Sequence, residues 1–138
     1  MSKRVKFAGA AATILALAAA SIALAAPQSP TISVTDNGLS AASTTGMSSH
    51  FTAAGCGFKA NDSSDYLVVR GPGLYTSGLT TWADHFPVGS NGCGSGSPTW
   101  SGSGVTGNFD VYVVRSPSGN PWSAQAISNT ITIHISSP

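Results

Sequence analysis

Two stretches near the carboxyl end decide the fold: residues 109–114 (FDVYVV) and residues 130–136 (TITIHIS). In both, apolar side chains recur at every second position, which is typical of a β-strand with one buried face. The segment that joins them, residues 116–121 (SPSGNP), consists of residues that form turns. The pattern therefore predicts two strands connected by a turn.

The same signals recur upstream at short intervals. Further strands are predicted at residues 31–35 (TISVT), 47–53 (MSSHFTA) running into 55–58, 66–70 (YLVVR), 81–86 (TWADHF) and around 99–103. Residues 66–70 are the most continuously apolar, which favours a central position in a sheet. No segment beyond residue 26 shows sustained helical periodicity. The spacing predicts an all-β protein, an immunoglobulin-like β-sandwich of about seven strands.

The first residues have the three parts of a secretory signal peptide. Lys3, Arg4 and Lys6 form a basic start, and an apolar run rich in alanine and leucine follows over residues 7–24. Residues 23–25 (ALA) provide a small-x-small cleavage site. We therefore expect cleavage after Ala25 or Ala26.

The alternative interpretation of this run is a membrane anchor, since its length approaches that of a bilayer-spanning helix. Its high alanine content and the cleavage site favour release. The sequence thus predicts a signal peptide over residues 1–25 and one domain over residues 26–138. The mature form is expected outside the membrane, secreted to the periplasm or the extracellular space.

Removal of the leader changes the charge of the protein. The remaining basic residues are Lys59, Arg70 and Arg115, and the acidic residues are Asp36, Asp62, Asp65, Asp84 and Asp110. Three basic and five acidic residues give the mature chain a net charge of −2. A surface that follows phosphates needs more cations, so the composition argues against nucleic acid as a partner. The same scarcity argues against attachment to anionic lipid.

The chain contains two cysteines, Cys56 and Cys93. In an exported protein such a pair usually forms a disulfide. A metal site would need further ligands at short spacing, so the pair predicts a Cys56–Cys93 disulfide. Residues 90–107, which contain Cys93, are rich in serine and glycine and predict a loose surface loop, with a functional loop as the alternative.

Two segments resemble secreted bacterial immunoglobulin-like modules. Residues 54–61 (AGCGFKAN) look like the "G-x-G-F-x-x-G/N" turn that follows the second strand of such domains. Residues 128–135 (SNTITIHI) are similar to the "S-N-T-v-t-v-x-v" last strand of many extracellular repeats. The resemblance implies an immunoglobulin-like fold.

A narrower resemblance covers the amino-terminal part of the domain. Residues 30–35, 38–40 and 55–58 look like the opening of the neocarzinostatin family, secreted apoproteins that hold an aromatic enediyne in a cleft of an immunoglobulin-like sandwich. The two short-range disulfides of that family have no counterpart here, because Cys56 and Cys93 lie far apart. The cleft residues therefore have no matching positions. A pilus subunit is a third exported option, although no terminal motif matches.

Histidine and carboxylate side chains are too few and too scattered to predict a catalytic site. His134 alternates with isoleucines and is expected to face outward, and His50 is expected opposite Met47. His85 follows Asp84, and adjacent strand residues point to opposite faces. No serine lies in a nucleophile elbow, and the absence of glutamate argues against a paired-carboxylate glycosidase. The sequence predicts no catalytic residues and no cofactor.

Residues 61–65 (NDSSD) form the densest cluster of oxygen ligands. A calcium loop is one interpretation, and a turn between the second and third strands is the other. Since no bidentate glutamate follows, we favour the turn and predict no metal site.

The three tryptophans are the remaining candidates for ligand contact, because aromatic faces stack on sugars or grip apolar molecules. Trp82 lies on a predicted strand and is expected to be structural. Trp100 and Trp122 follow loop segments and are the predicted contacts. Together these features predict a secreted, non-enzymatic binding, adhesion or structural module of the cell envelope or extracellular space. Its partner is a protein, a glycan or a small apolar ligand; the alternative is a carrier of a small apolar or aromatic ligand in a neocarzinostatin-like cleft.

Overall fold

The computed structural model describes residues 29–73, 79–102 and 104–137. The strands in these ranges are β1 (Thr31–Asp36), β2 (Phe51–Cys56), β3 (Asp65–Pro72), β4 (Leu79–His85), β5 (Gly94–Gly96), β6 (Gly107–Arg115) and β7 (Ile131–Ile135). A 3-10 turn at Leu39–Ala41 continues into the single-turn helix α1 (Ala42–Thr45), and a second 3-10 turn spans Pro121–Ser123. The predicted signal peptide, residues 1–25, lies outside the described residues.

The strands pair into two antiparallel sheets. One sheet has the order β1-β2-β5 and the other the order β4-β3-β6-β7. Immunoglobulin domains likewise place strands one, two and five in one sheet and three, six and seven in the other. Here β4 pairs with β3 at the edge of the second sheet. In a constant-type domain the fourth strand instead belongs to the sheet that contains strands one, two and five. The predicted all-β sandwich of about seven strands is confirmed.

The core lies between the sheets and is built from alternate residues of the strands. Phe51 of β2 and Val111 of β6 are fully buried in it, as is Leu67 of β3. Phe109 packs directly over Gly71 of β3, where a Cβ atom would lie 2.2 Å from the phenyl ring. The ring of Phe109 thus occupies the space that a side chain at residue 71 would need.

The second strand begins later than the sequence indicates. The alternation predicts a strand from Met47, but β2 starts at Phe51, so the prediction is wrong for residues 47–50. Ser49 has a φ of 61°, in the left-handed region, which interrupts the extended backbone before β2. Its amide donates to the carbonyl of Pro98 at 2.9 Å. Met47 is still fully buried, because a turn delivers it to the core. The apolar periodicity of a sequence indicates which residues are buried, but it does not show whether a strand or a turn brings them to the core.

The fifth strand is Gly94–Gly96, and the predicted strand around residues 99–103 is wrong for the described residues 99–102. There, Ser101 makes an isolated bridge to Gly46, and Ser103 lies outside the described residues. A Cβ atom on Gly94 would come within 2.6 Å of the Phe86 ring. Close packing thus requires glycine in a strand, although glycine is a poor strand former.

The predicted disulfide between Cys56 and Cys93 is present, with 4.0 Å between the two Cα atoms. It lies next to the paired residues Gly55 and Gly94 of β2 and β5. The bond therefore ties the short β5 to the centre of its sheet. The loose composition of residues 90–107 thus hides a strand that is held by a covalent link.

The turn after β2 explains the "G-x-G-F-x-x-G/N" pattern in physical terms. Gly57 and Asn61 have φ values of 91° and 56°, and glycine and asparagine are the residues that most readily adopt such values. Phe58 between them is buried and packs on Phe86, with 5.1 Å between ring centroids. At Gly55 a Cβ atom would lie 1.8 Å from the carbonyl oxygen of Thr31, so each defined position of the pattern has a backbone or packing role.

Asn129, in the "S-N-T" part of the last-strand pattern, joins the two sheets. Its Oδ1 accepts from the amide of Ile32 at 2.8 Å, and its Nδ2 donates to the carbonyl of Ile32 at 3.1 Å. The side-chain amide thereby substitutes for one rung of a β-ladder at the edge of β1. Ser128 acts similarly on β6, since its hydroxyl accepts from the amide of Val113 at 2.8 Å. These bonds blunt an edge that is otherwise open to pairing with another chain.

Candidate functional site

The sheet β4-β3-β6-β7 has one face in the core and one face turned away from it, here called the outer face. Its apolar residues are Tyr66 and Val68 of β3, Ala83 of β4, and Tyr112 and Val114 of β6. Val68 and Val114 are fully buried although they lie outside the core cluster. Since the outer residues of an exposed antiparallel sheet are ordinarily polar, part of this face is covered.

The cover is the connection between β6 and β7. Its 3-10 turn, Pro121–Ser123, lies against β3 and β4, and Pro121 is buried. Gly119 lies beside Tyr66, because a Cβ atom on Gly119 would be 3.9 Å from the Tyr66 hydroxyl oxygen. Further along, Ala126 bridges to Val114. The connection therefore crosses the outer face and is anchored on it.

Trp122 lies at the centre of this turn, with 61% of its surface exposed. Among the residues whose exposure the structure describes, it is the one exposed large apolar residue. The turn is held by the hydroxyl of Ser116, which accepts from the amide of Asn120 at 2.9 Å. The amide of Ala124 closes the turn on the carbonyl of Pro121 at 3.3 Å. The Trp122 side chain is thus exposed to solvent on a turn whose backbone is held by hydrogen bonds.

The other two tryptophans have a different environment. Trp82 and Trp100 are both partly buried and pack against the core, as we expected for Trp82. The structure therefore places Trp122 on the connection that crosses the outer face, and Trp100 partly buried against the core. Trp100 and Trp122, the two predicted contact residues, therefore have different surroundings and do not form one site.

Tyr66 and His85 add an aromatic pair to the outer face. Their ring centroids are 4.7 Å apart with an interplanar angle of 30°, because the two residues are paired across β3 and β4. Sequence reasoning did not select Tyr66, His85 or Tyr112 as contacts. The available signal was the presence of aromatic rings at strand positions that alternate with the core residues.

A polar group lies on the same face, towards β7. The hydroxyl of Thr132 donates to Oδ1 of Asp110 at 2.7 Å, and Nδ1 of His134 lies 2.7 Å from Oδ1 of Asn108. Arg70 is paired with Asp110 across β3 and β6. All five of these residues are exposed. The outer face thus combines aromatic rings with side chains that donate and accept hydrogen bonds, including one cation and one carboxylate.

The remaining histidine and aspartate contacts are short-range or structural. Nε2 of His50 lies 2.7 Å from the hydroxyl oxygen of Thr45. The carboxylate of Asp36 accepts from the amides of Leu39 and Gly38, and these bonds hold its pKa below the usual 3.8. Asp84 accepts from its neighbour His85 through the backbone amide at 2.7 Å.

The segment 61–65 forms the predicted turn, closed by an ion-pair cluster. Oδ1 of Asp62 accepts from the amide and the hydroxyl of Ser64, which lowers the pKa of Asp62. Asp65 is buried and lies opposite Arg115, whose Nε and Nη2 donate to it at 2.9 and 3.3 Å. These bonds raise the pKa of Arg115. The carboxylates thus face cations of the protein itself.

The described residues line two cavities, and Trp122 is not among the lining residues. One, of about 430 Å³, is lined by Ser29, Thr31, Cys56 and Gly57. The other, of about 220 Å³, is lined by Ser63, Asp65, His85, Phe86 and Pro87. Pockets for drug-sized ligands are mostly apolar and measure about 300–1,000 Å³. The larger cavity falls within this size range, and the smaller one is below it.

Comparisons with protein-family models, with curated proteins and with solved structures found no match to this chain.

Proposed function

We propose that the mature chain is a secreted, non-enzymatic binding module that contacts its partner through the outer face around Trp122. The observation that carries this proposal is the exposure of Trp122 on a turn that is itself anchored by a buried proline and by hydrogen bonds. Exposing a tryptophan to water is unfavourable, and the anchored turn fixes the position of its backbone before any partner arrives. Such preorganisation lowers the entropic cost of binding.

Several features support secretion. The basic start, apolar run and small-residue site at residues 1–25 have the order of a signal peptide. The Cys56–Cys93 disulfide is typical of oxidising compartments. In the part of the chain that the structure describes, no helix has the length and apolar character needed to cross a membrane.

The contacts of the titratable side chains support a non-enzymatic role. A general base or nucleophile needs a hydrogen-bonded partner and space for a substrate beside it. Asp65 is instead taken up by Arg115, and His134 by Asn108. His85 stacks on Tyr66 across two strands. Each of these side chains is engaged by a partner within the protein, and Asp65 and His85 also line the cavity of about 220 Å³.

The packing also favours a face over a strand edge as the contact surface. Asn129 occupies the backbone groups of Ile32 on β1, and Asp84 occupies the amide of His85 on β4. A partner that adds a strand needs such groups free. Contact through the aromatic rings of the outer face does not depend on free backbone amides or carbonyls.

Secretion is tested by expressing the full chain in a bacterial host with a Sec pathway. Mass spectrometry of the exported protein is expected to give an amino terminus at Ala26 or Pro27, with the disulfide formed. Recovery of the uncleaved chain in the membrane fraction would contradict this part of the proposal.

Binding is tested on the mature protein by tryptophan fluorescence against neutral oligosaccharides and polysaccharides, planar aromatic molecules and extracellular proteins. We expect at least one class to shift the emission of the wild type and to leave that of Trp122→Ala unchanged. Trp100→Phe is the matched control, because Trp100 packs against the core. A hydrolase screen that finds turnover, abolished by Asp65→Asn or His85→Ala, would overturn the proposal.

A further inference from the structure

The outer face is divided into an aromatic half and a hydrogen-bonding half. The aromatic half is formed by Trp122 together with the pair Tyr66 and His85, and by Tyr112 on the neighbouring strand. The hydrogen-bonding half contains Arg70, Asn108, Asp110, Thr132 and His134. Tyr112 and Asp110 are two positions apart on β6, so the two halves meet there on the same side of the strand.

The dimensions of this face suit an extended ligand. The pair Tyr66 and His85 lies at one end of β3 and β4, and the hydrogen-bonding half begins four residues further along β3 and continues across β6 onto β7. Four residues of a strand span about 13 Å and three strand spacings about 14 Å, so a ligand that touches both halves would run diagonally over roughly 20 Å. The cavity at Cys56 is lined by none of these residues, and the cavity at Asp65 shares only His85 with the aromatic half. A ligand of this face therefore lies on a surface and is not enclosed.

The charges of the face indicate a neutral ligand. Arg70 lies opposite Asp110 in the register of β3 and β6, so the hydrogen-bonding half carries one cation and one carboxylate. Thr132 and Asn108 supply uncharged donors and acceptors, and His134 adds an imidazole. Nucleic acids or acidic polysaccharides would meet too few cations and the negative charge of Asp110.

Among neutral ligands, the division into aromatic and hydroxyl-binding halves fits a sugar chain. A pyranose ring has a face of C–H groups that packs on an aromatic ring, and a rim of hydroxyls that both donate and accept hydrogen bonds. A planar aromatic cargo would use the rings alone, whereas sugar hydroxyls can also bond to the exposed Asp110 and Asn108. We infer that the outer face binds a neutral, flat polysaccharide chain, with Trp122 stacking on one sugar and the side chains on β6 and β7 holding hydroxyls.

This inference rests on the proposed binding function and adds the class of ligand. The test is retention of the mature protein on microcrystalline cellulose and on chitin, which are flat neutral chains. Amylose represents a helical neutral chain, and polygalacturonate represents an anionic one. We expect retention on cellulose or chitin and at least tenfold less on the other two.

Two variants divide the surface into its halves. Trp122→Ala is expected to reduce retention at least tenfold, and Trp122→Tyr to restore part of it because a stacking ring returns. Thr132→Ala is expected to weaken retention about threefold to tenfold by removing the bond to Asp110. Trp100→Phe is the control and should bind like the wild type. Unchanged thermal unfolding of Trp122→Ala would show that lost retention reflects the surface and not the fold.

The outcomes separate this inference from the proposed function. If no flat polysaccharide retains the protein, but another class of ligand still gives a fluorescence shift that depends on Trp122, the sugar inference falls and the binding function stands. If polysaccharide retention is equal in wild type and Trp122→Ala, the assignment to the outer face is wrong. If no ligand of any class responds to Trp122→Ala, both proposals fail.

Discussion

Replacing Asn129 by alanine removes the side chain that joins β1 to the start of β7. Two hydrogen bonds to Ile32 are lost, at 2.8 and 3.1 Å. Each such bond contributes about 0.5–1.5 kcal/mol net, and an amide left buried without a partner costs about 1–3 kcal/mol. Ile32 is 5% exposed, so water replaces the lost partner only in part. We expect the free energy of unfolding to fall by about 2 kcal/mol.

The assay is urea unfolding of the mature, disulfide-bonded protein, followed by tryptophan fluorescence. For a domain of this size a loss of about 2 kcal/mol lowers Tm by roughly 8 °C, which calorimetry would detect. Asn129→Asp keeps an acceptor for the Ile32 amide and removes the donor to its carbonyl, so its loss should be intermediate. Thr130→Ala, at an exposed neighbouring position, is the matched control. Equal stability of Asn129→Ala and Thr130→Ala within about 0.5 kcal/mol would refute the reasoning.

Three further changes test the packing and the charges. Removing the disulfide by Cys56→Ser with Cys93→Ser should cost about 4 kcal/mol, from the loop that the 37-residue separation closes, measured by urea unfolding. Gly71→Ala should cost about 1–3 kcal/mol by forcing a methyl group against the buried Phe109 ring. The lowered pKa of Asp62 stabilises the fold fully above pH 3.8, and this stability is lost as the pH falls through the folded-state pKa. Asp62→Asn should therefore flatten the stability profile between pH 5 and about pH 2.

Each of these has a matched comparison. Gly96→Ala places its Cβ atom no closer than 3.4 Å to the Phe86 ring, so it should cost clearly less than Gly71→Ala. Ser63→Ala, next to Asp62, should leave the pH profile of the wild type unchanged. For the disulfide, an unchanged urea midpoint after reduction of the wild type would show that the chain-entropy effect is offset in the folded state.

The sequence by itself determined the class of the fold, because the alternation of apolar and polar residues along the chain indicates strands with one buried face. β6 and β7 were predicted nearly to their ends, since their core residues are large and apolar and a turn-rich segment separates them. The cysteine pair was predictable because two cysteines in an exported chain have one intramolecular partner each. Export itself remains a prediction, as does the assignment of Trp122 to a ligand.

Only the tertiary structure decided the strands and contacts whose determinants are distant in the chain. Gly94–Gly96 pairs as a strand because Cys93 is bonded to Cys56 and because Phe86 packs where a side chain would stand. Local propensity opposes this strand, so no periodicity could reveal it. Trp100 and Trp122 follow similar loops, yet one packs against the core and the other lies in water. The difference arises because the connection from β6 to β7 folds back across β3 and β4, and sequence patterns record local burial but not such long-range packing.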